Sequence, residues 1–587
     1  MRSKWATGKA VRAGLAVGGR ISKSIRNRRA AQPSAHFHRN PLGRGRLAAF
    51  SRCSLLTYRS RYARRSCLEK QPTDLRRKAC LFREQGTNGQ SGSDTLAKAG
   101  PAAHFERNQR YAYFGDRTLG MPKIKRAIHW FRRDLRISDN TALFQAHKRA
   151  EEILPVYILS TWKNQHPWTG AHRQEFLSGC LASLSGNLKA LGGSLIIRAG
   201  EPVAELLKLA RESGSEAIFF NRGSDPHSVK VQESLATEAE KMGVSIYGFK
   251  DITIFEPGEI LTKSGEPFRV FTPYARAWHA LEKPELSPTI RAITVPTDIF
   301  SLALPSLSYW HLRSEGKTIE SGEKMALKRF RHFLNRSAAA YGHHRNLPSK
   351  DATSRLSQDL RFGTISPRHI YFHCVETARE CSAVERRSIN LFVNELIWRE
   401  FYIQILANFP GVLDHDFSGR FEGLEWEENE SAFNRWREGT TGFPIVDAGM
   451  RQLNEIGYMH NRVRMIVAMF LTKDLHIHWK KGEQYFLQKL VDGDIASNNG
   501  GWQWSAGTGA DAAPYFRIQN PWTQTQNYDP EGKYIKRWVR ELRDVSPETF
   551  MAPSSASIAR GYPAPMVNHA EEREKALRRF SRLRQKT

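Results

Sequence analysis

The chain has 587 residues, too many for one ordinary core, so two or three domains are expected. Hydrophobic residues make up 40% and charged residues 25%, which fits a folded globular protein and excludes a disordered one. No uninterrupted apolar run reaches the roughly 18 to 20 residues of a membrane-spanning helix, and six Cys without a C-x-x-C pair fit neither a disulfide scaffold nor structural zinc.

The formal net charge of +30 points to a polyanionic partner, but it is unevenly spread. Residues 1–120 carry 26 Lys+Arg against 6 Asp+Glu, and the remainder carries 63 against 53. No acidic residue precedes Glu69, and no period of 2 or 3.6 persists there, so 1–120 reads as a disordered basic extension. It resembles an organellar transit peptide in composition, or a basic arm with nonspecific DNA affinity, or an extension without folded role ahead of a working protein that starts at Met121. The last is preferred, because 120 residues is long for a transit peptide.

From Lys123 short apolar runs (Ala127–Phe131, Ile153–Leu159, Ser194–Ile197, Glu216–Phe220, Val244–Phe249) alternate with helical patterns (Glu175–Leu191, Val203–Arg211, Val229–Met242). Strands alternating with helices predict an α/β domain with a parallel sheet over about 121–250. A Pro-rich connector follows over 251–320, then helical periodicity and many Trp over 321–545, and a polar tail over 546–587.

No phosphate-binding Gly-rich motif follows the first strand. The charges of Phe131–Arg136 fall at that strand's carboxyl end, where open sheets bind ligands, but a salt-bridged loop is the plainer reading. His343 and His344 point about 100° apart on a helix and have no partner at ligand spacing, so no metal is expected. Thr353–Ser357, hydroxyl-rich after Pro348, suits a helix cap or a phosphate contact. Glu395, Trp398 and Arg399 lie at i, i+3 and i+4, an acid, an aromatic and a guanidinium on one helical face, which suits a recess for a flat polar ligand better than a core. The stretch Asp492–Trp504, with two Asp, two Asn, three Gly and two Trp, is expected to be an ordered loop rather than a helix interior. Its Gly permit close approach, its Asn and Asp can fix ring polar groups, and its Trp can stack.

Together these segments resemble the DNA photolyase/cryptochrome family, most closely the bacterial-type photolyases of cyclobutane pyrimidine dimers. The motifs, in family order, are WFRRDLR at Trp130–Arg136, TSRLS at Thr353–Ser357, NELIWREF at Asn394–Phe401, YMHNRVRM at Tyr458–Met465, DGDIASNNGGWQW at Asp492–Trp504 and DAAPYFRIQNP at Asp511–Pro521. The resemblance implies a Rossmann-like α/β antenna domain, a long connector and a mainly α-helical domain binding FAD in a folded conformation.

On that pattern Tyr341, Thr353, Ser354, Arg355, Leu356 and Ser357 hold the FAD phosphates and adenosine side. Asp492, Gly493 and Asp494 contact the flavin and ribityl part, Arg464 pairs a carboxylate there, and Asn498 faces flavin N5. Glu395, Trp398, Asn461, Met465 and Trp504 form the pocket for a flipped-out dimer, with Arg345, Arg462 and Gln524 on the DNA. Trp502, Trp479 and Trp426 match a relay that carries electrons from the surface to oxidised flavin.

The implied function is light-driven repair of pyrimidine dimers by electron transfer from reduced FAD, in a cytoplasmic monomer acting on nucleoid DNA. The alternative is a blue-light receptor without repair activity. Asn461 stands where (6-4) photolyases resemble one another in having His, Asn498 is the photolyase-type residue, and the region after Leu542 is short for a signalling cryptochrome. Asn221–Ser228 lacks the Asn-Glu pair of folate-binding relatives, so a second antenna chromophore is open between folate and deazaflavin.

Overall fold

The computed structural model describes residues 123–584 apart from 161–165, 167, 318, 513 and 515; the basic extension expected at 1–120 lies outside the described residues. Five strands, β1 (Ile124–Phe131), β2 (Ala150–Ser160), β3 (Ile196–Gly200), β4 (Ala217–Asn221) and β5 (Ser245–Phe249), form one all-parallel sheet in the order β3-β2-β1-β4-β5. Each apolar run predicted as a strand lies on one of them, with shifted ends. Helices α1 (Thr141–Arg149), α2 (Ala171–Ala190), α3 (Pro202–Ser213) and α4 (Pro226–Lys241) make the crossovers, α1 being a helix that the apolar period did not single out.

Side chains alternate across a strand, so the sheet has two cores. Ala127 and Phe131 of β1 pack with Ile153, Tyr157 and the α2 residues Phe176, Leu181 and Leu184. Ile128 and Trp130 face the other way, onto Leu154, Val156 and the α3 residues Leu206 and Leu209. Burial on both faces explains why the strands read as continuous apolar runs.

The connector is not slack chain. It contains α5 (Phe271–Ala280), whose Trp278 is fully buried and donates through Nε1 to Glu400 at 2.7 Å. Beyond it come α6 (Glu323–Arg336), α7 (Ser357–Phe362), α8 (Pro367–Arg379) and the 26-residue α9 (Ala383–Asn408), which starts at a Ser382/Glu385 capping box. Then follow α10 (Pro444–Ile456), α11 (Asn461–Met469), α12 (Trp479–Lys489), α13 (Ile495–Ala506) and α14 (Pro521–Tyr528). Two hydrophobic clusters support this domain. One is built on α6 and α9, with Phe330, Phe333 and Phe401, the other on α10 to α12, with Ile445, Val467 and Phe486.

The end of the chain, expected as a polar tail, folds instead. Helix α15 (His569–Arg584) sets His569 Nδ1 2.5 Å from Asp474 Oδ1 and Glu572 Oε2 2.6 Å from His476 Nε2. It also buries Phe580 against Phe421 and under Lys473 Nζ. The segment is polar on average, but one apolar ring and two paired carboxylates dock it, which composition alone hides.

The loop after β1 is the salt-bridged structure that its charges suggested, and it joins the two domains. Leu135 N–H donates to Phe362 O, and Arg136, 2% exposed, places Nη1 on Gly363 O and Nη2 2.6 Å from Asp251 Oδ2. Arg368 at the start of α8 bridges Asp139 and Asp251 at 2.9 and 2.8 Å. Removing one partner of a buried ionic cluster leaves a charge uncompensated. We therefore expect Arg368→Met to lower unfolding free energy by about 3–5 kcal/mol, read as a lower urea midpoint with an unchanged slope.

Candidate functional site

Between the two clusters of the helical domain lies a cavity of about 540 Å³. The face of α9 predicted to bind a flat polar ligand faces into it, with Glu395, Trp398 and Arg399 all on its wall. Tyr341, Arg345 and Thr353–Ser357 contribute from the segments between α6 and α7. Asn461, Arg462, Arg464 and Met465 come from α11, and Asp492–Asp494 with Asn498, Trp502 and Trp504 from α13 and the turn before it. Of the site residues expected from sequence, Trp426, Trp479 and Gln524 are not on the wall. Gln524 sits half-buried on α14, and the two Trp stand behind Trp502.

The wall is positively charged. Six guanidinium groups (Arg345, Arg355, Arg361, Arg399, Arg462, Arg464) face three carboxylates (Glu395, Asp492, Asp494). Each carboxylate has a fixed partner: Arg345 Nη1 is 2.6 Å from Glu395 Oε1, Arg464 Nη2 is 2.8 Å from Asp492 Oδ2, and Arg133 binds Asp494 from the α/β domain. Burial alone would raise the Asp494 carboxyl, but Arg133, Arg361 and Arg399 outweigh it and hold it well below the usual carboxylate range. Burial, with Arg133 beside it, pushes Arg361 down to about 9, and burial pushes Arg399 down to about 10. Guanidinium groups so depressed are short of counter-charge, the condition that an anionic ligand relieves.

Two buried polar atoms on the wall, Asp492 Oδ1 and Trp502 Nε1, have no protein partner. A buried polar group without a partner is costly, so both are free to bond a ligand. Arg355 adds a left-handed backbone, φ 48°, within the hydroxyl-rich turn. That turn does not act as a side-chain cap, since α7 begins at Leu356 without one. Its hydroxyls are left to face the cavity.

The stretch Asp492–Trp504, expected as a loop, is mostly helix: α13 runs from Ile495 to Ala506, with Asp494 Oδ1 capping Ser497 N–H at 3.0 Å. Tertiary packing overrides the poor local propensity. Gly500 sits where a Cβ would lie 2.1 Å from the Tyr402 ring, so α9 and α13 touch only through a glycine. The amides do not compete with the helix backbone, because Asn498 Nδ2 donates to Glu483 O at 3.0 Å and Asn499 Nδ2 to Glu483 Oε1 at 2.9 Å.

Trp502 is 2% exposed and lies on α12, where a Cβ at Gly482 would meet its ring at 2.1 Å. Trp479, fully buried, is one turn earlier on the same helix. The His478 ring is 5.5 Å from the Trp479 ring and 5.0 Å from that of the half-exposed Trp426. At the mouth, Trp398 stacks on Phe271 of α5 with ring centres 3.7 Å apart. Sequence reasoning missed Arg133, Arg361, Phe271 and Asn346, which accepts from Arg462 at 2.9 Å. Arg133 lay in a quoted motif but pointed to no partner, and the others carried no local signal.

A sheet domain clamped to a helical domain, with a guanidinium-rich, aromatic-lined cavity, defines a binder of a large phosphorylated aromatic cofactor. The family model for DNA photolyase matches residues 127–291, and that for the FAD-binding domain of DNA photolyase matches residues 392–582. The chain is 38% identical over 454 residues to a deoxyribodipyrimidine photo-lyase of Synechococcus sp., covering 75% of this chain and 93% of that one. It is 37% identical to that of Agrobacterium fabrum, covering 79% and 99%.

Among solved structures, a bacterial class III photolyase from Agrobacterium tumefaciens is 36% identical, with a TM-score of 0.73, over 80% of this chain and all of that one. An archaeal photolyase from Sulfolobus tokodaii with two FAD molecules is 33% identical, with a TM-score of 0.68, over 78% and all of that one. This chain belongs to the DNA photolyase family.

FAD is therefore the cofactor, and the cavity fits it: surplus guanidinium charge suits a diphosphate, and the unpartnered Asp492 and Trp502 atoms suit polar ring and ribityl groups. Arg464→Leu removes the partner of a buried Asp492 carboxylate. We expect it to weaken FAD retention by on the order of tenfold or more, measured as flavin released on dilution, with Arg464→Lys closer to wild type.

Proposed function

We propose that this chain is a carbon–carbon lyase that repairs cyclobutane pyrimidine dimers in DNA under light, with FAD in the cavity. The observation that carries the reading is that one cavity combines a charged floor suited to a dinucleotide with an aromatic, hydrogen-bonding mouth. Reduced FAD supplies, on excitation by blue or near-UV light, the electron that opens the cyclobutane ring and is then returned.

The chain's own residues do the rest. Thr353, Ser354, Ser357 and the backbone of Arg355 and Leu356, with Tyr341, hold the phosphate and adenosine side. Asp492, Gly493 and Asp494 hold the flavin side, Arg464 keeping Asp492 in place. Asn498, its amide fixed on Glu483 O, presents its side chain to the flavin. Trp398 and Trp504 stack on the flipped dimer, while Asn461, Met465 and Glu395 shape and bond its edge. Extrusion costs least where stacking is already damaged, which selects lesions over intact pairs. Arg345 and Arg462 at the mouth, with Gln524 beside it, hold the DNA backbone.

Trp426, Trp479 and Trp502 pass electrons inward to return oxidised flavin to its working state. Every group used comes from one chain, so the working unit is a monomer, placed in the cytoplasm with nucleoid DNA. No helix among the described residues is long and apolar enough to cross a membrane.

Repair of a thymine-dimer oligonucleotide by reduced protein, in blue light and in darkness, tests the function. Light-dependent loss of the dimer is expected, and a flavin-loaded protein that binds the lesion and leaves it intact in light overturns the reading in favour of a receptor.

Glu395 gives a pH signature. Burial raises its carboxyl above the usual range against the pull of Arg345. The neutral form that can donate to a pyrimidine carbonyl therefore gains as pH falls through that raised value. Dimer affinity of the wild type, followed by fluorescence anisotropy, is expected to rise on that descent, and Glu395→Gln is expected to flatten the profile. Glu395→Ala is expected to cost about 1–2 kcal/mol of dimer affinity at every pH.

A further inference from the structure

We propose that Asp416 is the proton acceptor for Trp479, so that the middle indole of the relay is held as a neutral radical once it has given up an electron. The inference rests on the relay reading above and deepens it.

The three indoles differ in what their N–H groups meet. Trp502 Nε1 has no protein acceptor. Trp479 is fully buried, and its Nε1, the ring's one polar atom, donates to Asp416 Oδ1 at 2.8 Å. Asp416 lies just beyond the turn Pro410–Leu413 and is half-exposed, so the carboxyl that receives this N–H also communicates with water. A buried indole thus has a single outlet for a proton, through a preformed hydrogen bond to a carboxylate.

An indole that has lost an electron is far more acidic than the neutral ring, and a charged ring in a dry core is costly. Shedding the proton along the existing bond removes that charge without moving a heavy atom. The step balances as follows. Trp502 gives one electron to the light-excited oxidised flavin and is refilled by one electron from Trp479. The Nε1–H bond of Trp479 breaks, an O–H bond forms at Asp416 Oδ1, and a neutral indolyl radical remains. Asp416 returns the proton to water, and a one-electron donor in solution, such as a thiol, restores Trp479 as it takes a proton back.

The groups that act on Asp416 are the Trp479 N–H, His478, Glu422 and the buried Lys473. Burial is the largest influence and raises the carboxyl above its usual range, making Asp416 a better base than an exposed carboxylate while leaving it ionised at neutral pH.

Flash photolysis of the FAD-loaded full chain with oxidised flavin tests this, because cationic and neutral tryptophan radicals absorb differently. The wild type is expected to form the neutral radical quickly, with a solvent deuterium isotope effect, and to lose that fast phase as pH falls through the titration of Asp416. Asp416→Asn keeps an acceptor for the indole N–H but cannot take its proton. It is expected to leave the cationic form and slow deprotonation by on the order of 10²-fold.

An unchanged deprotonation rate in Asp416→Asn overturns the proposal, as does a fast phase in the wild type that is constant across the acidic range. The pH profile needs no variant, so it decides the matter even where Asp416→Asn does not fold. Trp479→Phe separates the two levels: it should block flavin photoreduction, and photoreduction at the wild-type rate would overturn the relay itself and this inference with it.

Discussion

The structure depends first on a cluster of four charges with almost no water. Arg136 and Arg368 face Asp139 and Asp251, all between 0 and 4% exposed. Each charge has more than one partner: Arg136 Nη2 donates to Asp139 O as well as to Asp251, and Ser366 and Thr141 complete the carboxylates. Such a cluster adds little to stability compared with a well-packed apolar substitute, because desolvation cancels most of its attraction. Its value is geometric. It fixes the loop after β1 against α8, and that loop delivers Arg133 to Asp494, the cap of α13. The helix that carries Asn498, Trp502 and Trp504 is thereby referenced to the parallel sheet.

The same desolvation that makes this cluster expensive makes the cavity selective. Around Asp139 and Asp251 guanidinium and carboxylate are matched in number, whereas the cavity wall has three guanidinium groups in excess. The depressed Arg361 and Arg399 are the electrostatic imprint of that excess. A neutral ligand would leave it unrelieved, but a diphosphate removes it with charge-assisted hydrogen bonds. The fold therefore stores a preference for an anionic cofactor in its unliganded wall.

What could be read from sequence followed the length scale of each signal. The sheet was legible because apolar runs bounded by turn residues are local, and the Glu395, Trp398 and Arg399 face because i, i+3, i+4 spacing is local too. Helix α13 was misread because its stability is not local. Gly500 is unfavourable in a helix until Tyr402 occupies its Cβ position, and Asn498 and Asn499 disrupt one until Glu483 takes their amides. Arg133 was visible as a charge, yet its partner is 361 residues away. The last helix failed on composition, since its docking rests on Phe580, His569 and Glu572 among many solvated side chains.

That last helix bears on the electron path. Glu427, next to Trp426, takes ion pairs from Lys575 and Arg579 of α15, and Trp426 packs on both the main core and the small cluster of Phe421, Leu424 and Phe580. The three indoles then stand in increasingly forgiving surroundings for a positive charge. Trp502 is dry and its N–H unpartnered, Trp479 is dry but hydrogen-bonded to a carboxylate, and Trp426 is half-exposed beside His478. Coulomb stabilisation and solvation both favour charge further out. An electron vacancy created at the cavity therefore moves outward downhill, and the electron moves inward, along a gradient set by burial and hydrogen bonding around chemically identical rings. The C-terminal helix tunes the outer end of that gradient by leaving Trp426 half-covered.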